Sequence, residues 1–223
     1  MKKILVFTLV SILFASCSSK PKFELEVNIH NNGSLKNKKL VVIQSVDGSN
    51  IYSDTTKIKK DHFLLNIPYK GQALLNISIP ESNIKGIIMV AEEGKILLNI
   101  EGDQSHFEGT PINDRIQAFY HGNDSVSLLF REIEKEYALL VRSNQSDPKM
   151  KDEFQKKSEE LRQRRSQLLD VNTDRIVAFI KENVDNPIGE YYFMTHYRTF
   201  PIEIKLKLGS FATEKLKKEF RLQ

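Results

Sequence analysis

The sequence is poor in the residues that build disulfide-linked, metal-binding and low-complexity proteins. It has one cysteine, Cys17, among 223 residues. A single cysteine excludes an intramolecular disulfide, a Cys-x-x-Cys redox pair and a thiolate-rich zinc site. With 10 glycines and 7 prolines the chain is not collagen-like or low-complexity, and 40% hydrophobic residues are too many for wholesale disorder. The length fits one large domain or two small ones.

Motifs for catalysis and nucleotide binding are also missing. The histidines are scattered, at His30, His62, His106, His121 and His196. None forms a His-x-x-x-His or His-Glu-x-x-His pair, and no Gly-x-Ser-x-Gly elbow, P-loop or dinucleotide-binding fingerprint occurs. His106 could pair with Asp103 and Glu101, but a turn histidine beside solvated acids is the favoured interpretation. We therefore predict no catalytic residues, no metal site and no cofactor, and we expect that the protein is not an enzyme.

The N-terminus has the pattern of a secretory signal peptide. Lys2 and Lys3 precede an apolar run from Ile4 to Ala15. A helix through this run would be roughly 18 Å long at ~1.5 Å per residue, and the hydrocarbon core of a bilayer is ~30 Å thick. We therefore predict a cleaved signal rather than a transmembrane helix.

The segment Leu13-Phe14-Ala15-Ser16-Cys17 resembles the lipobox of bacterial lipoproteins, with Phe14 where leucine is usual. The resemblance implies that a diacylglycerol is attached to Cys17 and that the signal peptide, residues 1–16, is removed. Several acyl chains would then anchor the protein to a membrane. An ordinary signal peptide that contains a cysteine by chance is the alternative.

Residues 17–22 are predicted to form the lipidated cysteine and a short polar tether. The tether has no acidic residue beside Cys17. By resemblance to lipoprotein sorting signals, this implies the outer membrane, on the side that faces the periplasm. Loss of Lys2 and Lys3 lowers the formal net charge from +4 to +2. Near-neutral charge and export together argue against a nucleic-acid partner.

Residues 23–109 have the pattern of a β-rich domain. Apolar residues from Phe23 to Ile29 alternate with polar ones, which is the period of a half-buried strand. Further short strands are predicted over 40–46, 55–58, 63–67, 73–79, 86–90 and 95–101. Because turn residues separate these strands and no helical period intervenes, we predict an antiparallel β-sandwich.

Residues 110–223 are predicted to be helical, so the fold class is α+β. Thr110-Pro111 offers a helix cap followed by proline at the first helical position. Apolar residues then recur at three- and four-residue steps as far as Leu140, and a second helix is predicted after a loop at 143–146. Its thin apolar seam and wide charged face predict a long antiparallel helical hairpin that protrudes from the body.

Two features of this helical region have competing interpretations. The basic residues Arg162, Arg164 and Arg165 could form an anion-binding patch, but a solvated helix face with paired charges is favoured. Residues 201–223 alternate like a strand at first and repeat like a helix later. We predict two short helices there, after another short helix over 188–197.

Two kinds of surface site are predicted. An aromatic group that includes Tyr191, Tyr192 and Tyr197 is a candidate partner-binding site, although packing against the hairpin is the favoured alternative. Thr55 and Ser125 are candidates for O-glycosylation, because each follows an aspartate and resembles the Asp-Ser/Thr-apolar acceptor of exported Bacteroidetes proteins.

The order of motifs along the chain resembles the DUF4369 family of Bacteroidetes lipoproteins. The lipobox is followed by a β-rich start at 23–27, by the Gly-Thr-Pro-Ile-Asn segment at 109–113, and by Asn-Pro-Ile-Gly at 186–189. The resemblance supplies no catalytic residues. Longer members continue into a thioredoxin-like domain, which would begin near Gln223, so their redox chemistry is expected to be absent here.

Two functions are consistent with these observations. The first is a membrane-anchored envelope lipoprotein that acts as a non-enzymatic binding or accessory module and has an envelope protein as its partner. The alternative is the anchor half of a periplasmic thiol–disulfide system, whose thioredoxin-like domain is encoded separately or has been lost.

Overall fold

The structure is a computed structural model that describes residues 23–146 and 151–222. The predicted signal peptide, the predicted lipidation site Cys17 and the predicted tether lie outside the described residues. Within those residues, no helix has the length and apolar character needed to cross a membrane.

Eight strands form two four-stranded sheets in the first half of the described chain. The strands are β1 (Phe23–His30), β2 (Lys39–Val46), β3 (Ser49–Lys57), β4 (His62–Asn66), β5 (Ala73–Ser78), β6 (Ile87–Ala91), β7 (Gly94–Glu101) and β8 (Gln104–Glu108). Sheet 1 has the order β4-β1-β7-β8, and sheet 2 has the order β3-β2-β5-β6. Alternate residues of β1 are buried, as the sequence pattern predicts, and the apolar faces of the two sheets meet in the core.

The sandwich differs from the predicted one in its pairing and in two strands. β1 pairs with β7 in parallel, whereas the strand pattern predicts an antiparallel arrangement throughout. Such a pairing joins segments about 70 residues apart and leaves no local signal. The pattern also does not predict β8, which is short and mostly polar, and it predicts only the end of β3, whose side chains are largely exposed.

Five helices follow: α1 (Pro111–Ser146), α2 (Lys151–Asn183), α3 (Pro187–Tyr197), α4 (Ile202–Gly209) and α5 (Glu214–Phe220). The long hairpin is α1 and α2, and its antiparallel sense follows from contacts of Phe119 with Arg175 and of Glu136 with Arg164. The short helices are confirmed. The predicted loop at 143–146 is wrong, because α1 continues through Ser146; a polar helix end contains no apolar residue that would reveal it.

One hydrophobic core joins the sandwich to the helices. It includes the inner faces of both sheets together with residues such as Ile116, Ile180 and Phe193. Farther along the hairpin, Val126, Ile133 and Leu161 are buried but do not belong to this core. The far half of the hairpin is therefore stabilised by its own apolar seam.

Candidate functional site

Helix α1 covers one side of the sandwich, where β6 and β8 are edge strands. The side chain of Asn113 is fully buried and accepts a hydrogen bond from the Val90 N–H at 2.9 Å, while its Nδ2 donates to the Val90 carbonyl oxygen at 2.8 Å. This amide takes the place of a neighbouring strand. In the same way, Gln117 Oε1 accepts from the Phe107 N–H of β8 at 2.9 Å. The contacts close these edges against another chain.

The Gly-Thr-Pro-Ile-Asn segment is the structural device that starts this helix. Gly109 has a φ of +116°, and a Cβ there would lie 2.4 Å from the Lys95 carbonyl oxygen. The Gly109 N–H donates to Asp114 Oδ1 at 2.8 Å, and Thr110 Oγ1 accepts from Asn113 Nδ2 at 2.8 Å. Only glycine fits this close backbone approach.

The Asn-Pro-Ile-Gly segment has a similar structural role at the start of α3. Asn186 accepts hydrogen bonds from the N–H groups of Ile188 and Gly189, and Pro187 occupies the first turn. A Cβ on Gly189 would lie 1.8 Å from the Asn183 carbonyl oxygen. Both recognisable motifs therefore shape the backbone.

A cleft of about 770 Å³ lies where β7 and β8 meet the middle of α1. We call it the histidine cleft, because His30, His106 and His121 line it. The rings of His106 and His121 are 5.5 Å apart between centroids, and the carboxylate near His106 Nε2 is Glu108, at 3.8 Å. The sequence places His106 in a turn, which is wrong because it lies within β8.

The side chains that line the histidine cleft do not form a metal site. No group of three His, Cys, Asp or Glu side chains among residues 23–146 and 151–222 could hold a metal ion. Asp103 and Glu101 line the cleft, but they form no ion pair with its histidines. Nothing in the sequence indicates that these histidines converge, since they come from β1, β8 and α1.

A second cleft, of about 530 Å³, lies between the outer face of sheet 2 and helices α3 and α5. We call it the α3 cleft. Leu74 and Ile88 belong to its sheet side, and Tyr191 and Met194 to its helix side. Met194 is 43% exposed although it is strongly apolar. The α3 cleft is therefore an apolar recess that remains open to solvent.

The rim of the α3 cleft is charged, and ion pairs link some of its side chains. Lys215 Nζ forms ion pairs with Asp47, in the β2–β3 turn, and with Glu190 at 2.6 Å. Burial alone would lower the pKa of Lys215, but hydrogen bonds to Asp47 and Glu190 outweigh it, so the pKa is raised. Glu219 also lines the cleft. Three carboxylates and one ammonium group thus line the rim, which is acidic.

The three predicted partner-binding tyrosines lie in different surroundings. Tyr191 lines the α3 cleft. Tyr192 packs edge-on against Phe119 and Phe179, with ring centroids 5.3 and 5.1 Å apart, and burial raises its pKa. Tyr197 stacks on Phe193 at 5.1 Å. Only Tyr191 is placed to contact a ligand in the cleft, and the other two pack mainly against neighbouring aromatic rings.

The remaining sequence-predicted sites are placed as follows. Thr55 is exposed in β3, and its N–H donates to Asp54 Oδ1 at 2.7 Å. Ser125 is exposed on α1, and its hydroxyl donates to the His121 carbonyl oxygen at 3.2 Å. Glycosylation of either residue stays a prediction.

Two of the three arginines in the candidate anion-binding patch form ion pairs. Arg164 forms a two-pronged contact with Glu136 of the other hairpin helix, at 2.7 and 3.2 Å. Arg162 contacts Glu159 on its own helix at 2.6 Å. These contacts favour the solvated, paired helix face over an anion-binding patch.

The fold and these sites define an α+β protein with a β-sandwich whose edge is completed by a long helix. Residues 23–116 match the model of the family described as "Domain of unknown function (DUF4369)". This part of the chain is a DUF4369 domain, as the resemblance implies. The matched range extends into α1 and includes Asn113, which closes the edge of β6. Searches of curated proteins and of solved structures gave no match.

Proposed function

We propose that the chain is a non-enzymatic binding or accessory module of the cell envelope, held at a membrane by a lipid on Cys17. The lipobox-like segment supports the anchor. The observation that supports the binding role is the α3 cleft, which leaves Tyr191 and Met194 open to solvent beside an apolar sheet surface. Clefts with an apolar lining and a few fixed polar groups are the usual binding sites of proteins.

The chemistry of the α3 cleft suits a protein segment in which an apolar side chain lies next to a lysine or arginine. Burying a side chain of the size of leucine is worth about 1.5–3 kcal/mol. The acidic rim at Asp47, Glu190 and Glu219 attracts a basic neighbour. The walls are a sheet and two helices, so the cleft needs little ordering when it binds.

A photo-crosslinking amino acid at position 194 tests this role in intact cells. We expect one reproducible crosslinked protein, and we expect Tyr191→Ala to weaken the product. The matched control carries the same crosslinker at Leu206, which is 69% exposed on α4 and lies outside the cleft. If positions 194 and 206 give the same products, or neither gives one, the binding role is wrong.

The anchor has a separate test. Cells labelled with radioactive palmitate should incorporate the label into the wild-type chain but not into a Cys17→Ala variant. The lipid anchor would be contradicted if the wild-type chain carried no label or if it separated into the same cell fraction as the variant. Neither result would bear on the binding role of the α3 cleft.

A further inference from the structure

Six lysines from two separate segments meet at one end of the sandwich. We call them the lysine patch: Lys36, Lys38, Lys39, Lys57, Lys59 and Lys60. The register of β2 and β3 places Lys39 directly opposite Lys57. Beyond this pair, the Asn37 N–H donates to the Ile58 carbonyl oxygen at 2.8 Å, and the Ile58 N–H donates to the Lys38 carbonyl oxygen at 3.0 Å. Backbone pairing therefore holds the two segments side by side.

The lysine patch is not neutralised by the protein itself. Five of its members are exposed, and Lys38 is partly buried. Among the described residues, no carboxylate forms an ion pair with any of the six. Lys38 donates instead to the backbone carbonyl of Glu81. The nearby Asp54 carboxylate accepts from the Thr55 N–H, and Asp61 directly follows Lys60 in the sequence.

Several other basic side chains of the molecule are paired with carboxylates. Lys157, Arg162 and Arg164 each contact a glutamate, and Lys215 contacts two carboxylates. Like charges placed directly opposite each other destabilise a sheet. The Lys39–Lys57 register is therefore an unfavourable pairing of like charges that a bound anion would relieve.

We propose that the lysine patch binds an anionic polysaccharide, whose repeated carboxylate, sulfate or phosphate groups contact several lysines at once. Lysine is a hydrated point charge on a flexible stem and lacks the rigid fork of arginine. A cluster of lysines thus suits a chain of spaced anions better than it suits one oriented group. The attraction is long-ranged and falls steeply with salt.

A polymer fits the position of the patch better than an anionic membrane does. The Ile29 N–H donates to the Asp61 carbonyl oxygen at 2.7 Å, so the patch lies at the end of β1. Phe23 begins β1 at the other end of this strand, roughly 25 Å away at ~3.3 Å per residue. This part of the argument rests on the proposed anchor, because a lipid on Cys17 joins the membrane at the Phe23 end.

Binding to heparin, used as a probe polyanion, tests the proposal with the purified full-length chain in a non-ionic detergent. The test variant combines Lys39→Gln, Lys57→Gln and Lys60→Gln. The control combines Lys156→Gln, Lys181→Gln and Lys218→Gln, which removes the same charge from exposed lysines elsewhere. We expect the slope of log affinity against log salt to become shallower by about one for each contacting lysine removed, and the control to keep the wild-type slope.

Three results would overturn the proposal: no heparin binding by the wild type, equal slopes for the test and control variants, or loss of heparin binding when phosphatidylglycerol is added to the micelles. The last result would assign the patch to a lipid surface. Thermal unfolding of both variants checks that they are folded. The α3 cleft contains none of the patch lysines. The test variant should therefore still give the crosslinked product from position 194, so that failure of this proposal is distinguishable from failure of the proposed binding role.

Discussion

The closure of the β6 edge by Asn113 leads to a quantitative prediction about stability. We consider Asn113→Leu, which removes the amide and keeps a side chain of similar size. Asn113 and Val90 are both 0% exposed, so water cannot replace the lost partner. The substitution leaves the N–H and the carbonyl oxygen of Val90 unsatisfied. Each buried group left without a partner costs about 1–3 kcal/mol, so the free energy of unfolding should fall by about 2–6 kcal/mol.

Urea unfolding, monitored by circular dichroism, measures this fall in the free energy of unfolding. Two further variants are expected to show smaller falls. Gln117→Leu leaves one group unsatisfied, the Phe107 N–H, and should cost about 1–3 kcal/mol. Asn66→Leu changes an exposed asparagine of β4 and should cost about 0.5 kcal/mol or less. We expect the losses to decrease in the order Asn113, Gln117, Asn66.

The reasoning is refuted if Asn113→Leu costs less than about 1 kcal/mol or no more than Asn66→Leu. Either result would mean that Val90 finds other partners. The edge of β6 would then be closed by the bulk of α1 rather than by the asparagine amide.

Two further predictions concern the backbone and pH. Gly109→Ala should destabilise the protein clearly more than Gly102→Ala, because both glycines have positive φ but only a Cβ on Gly109 meets a backbone oxygen; equal losses in thermal unfolding would contradict this. His196 stacks on Tyr192 and Phe200, and burial lowers its pKa below 6.5. In the unfolded chain His196 takes up a proton near pH 6.5, at a higher pH than in the folded protein. The protein therefore loses stability as pH falls from about 6.5 through the folded pKa of His196. We expect His196→Phe to reduce the difference in unfolding free energy between pH 8 and pH 5, and an unchanged difference would disprove the assignment.

The candidate sites show how far local patterns reach. Tyr191 belongs to an aromatic group that is visible in the sequence, but its neighbours Tyr192 and Tyr197 have the same local pattern and pack into aromatic clusters. Met194 has no signal of its own, because its importance depends on Leu74 and on the sheet opposite. Side-chain exposure is a property of the packed molecule and is not readable from helical spacing.

The sequence by itself determines the strand alternation of β1, the cap at Asn186-Pro187, the change from strands to helices after Gly109, and the family of residues 23–116. The first three of these depend on residues within a few positions of one another, where backbone preference and side-chain period act directly. The family match rests on the whole of residues 23–116. Only the tertiary structure decides the parallel pairing of β1 with β7, the bond from Asn113 to Val90, and the meeting of Lys39 with Lys57. These contacts join residues on different strands and helices, and the packing of the whole core selects them.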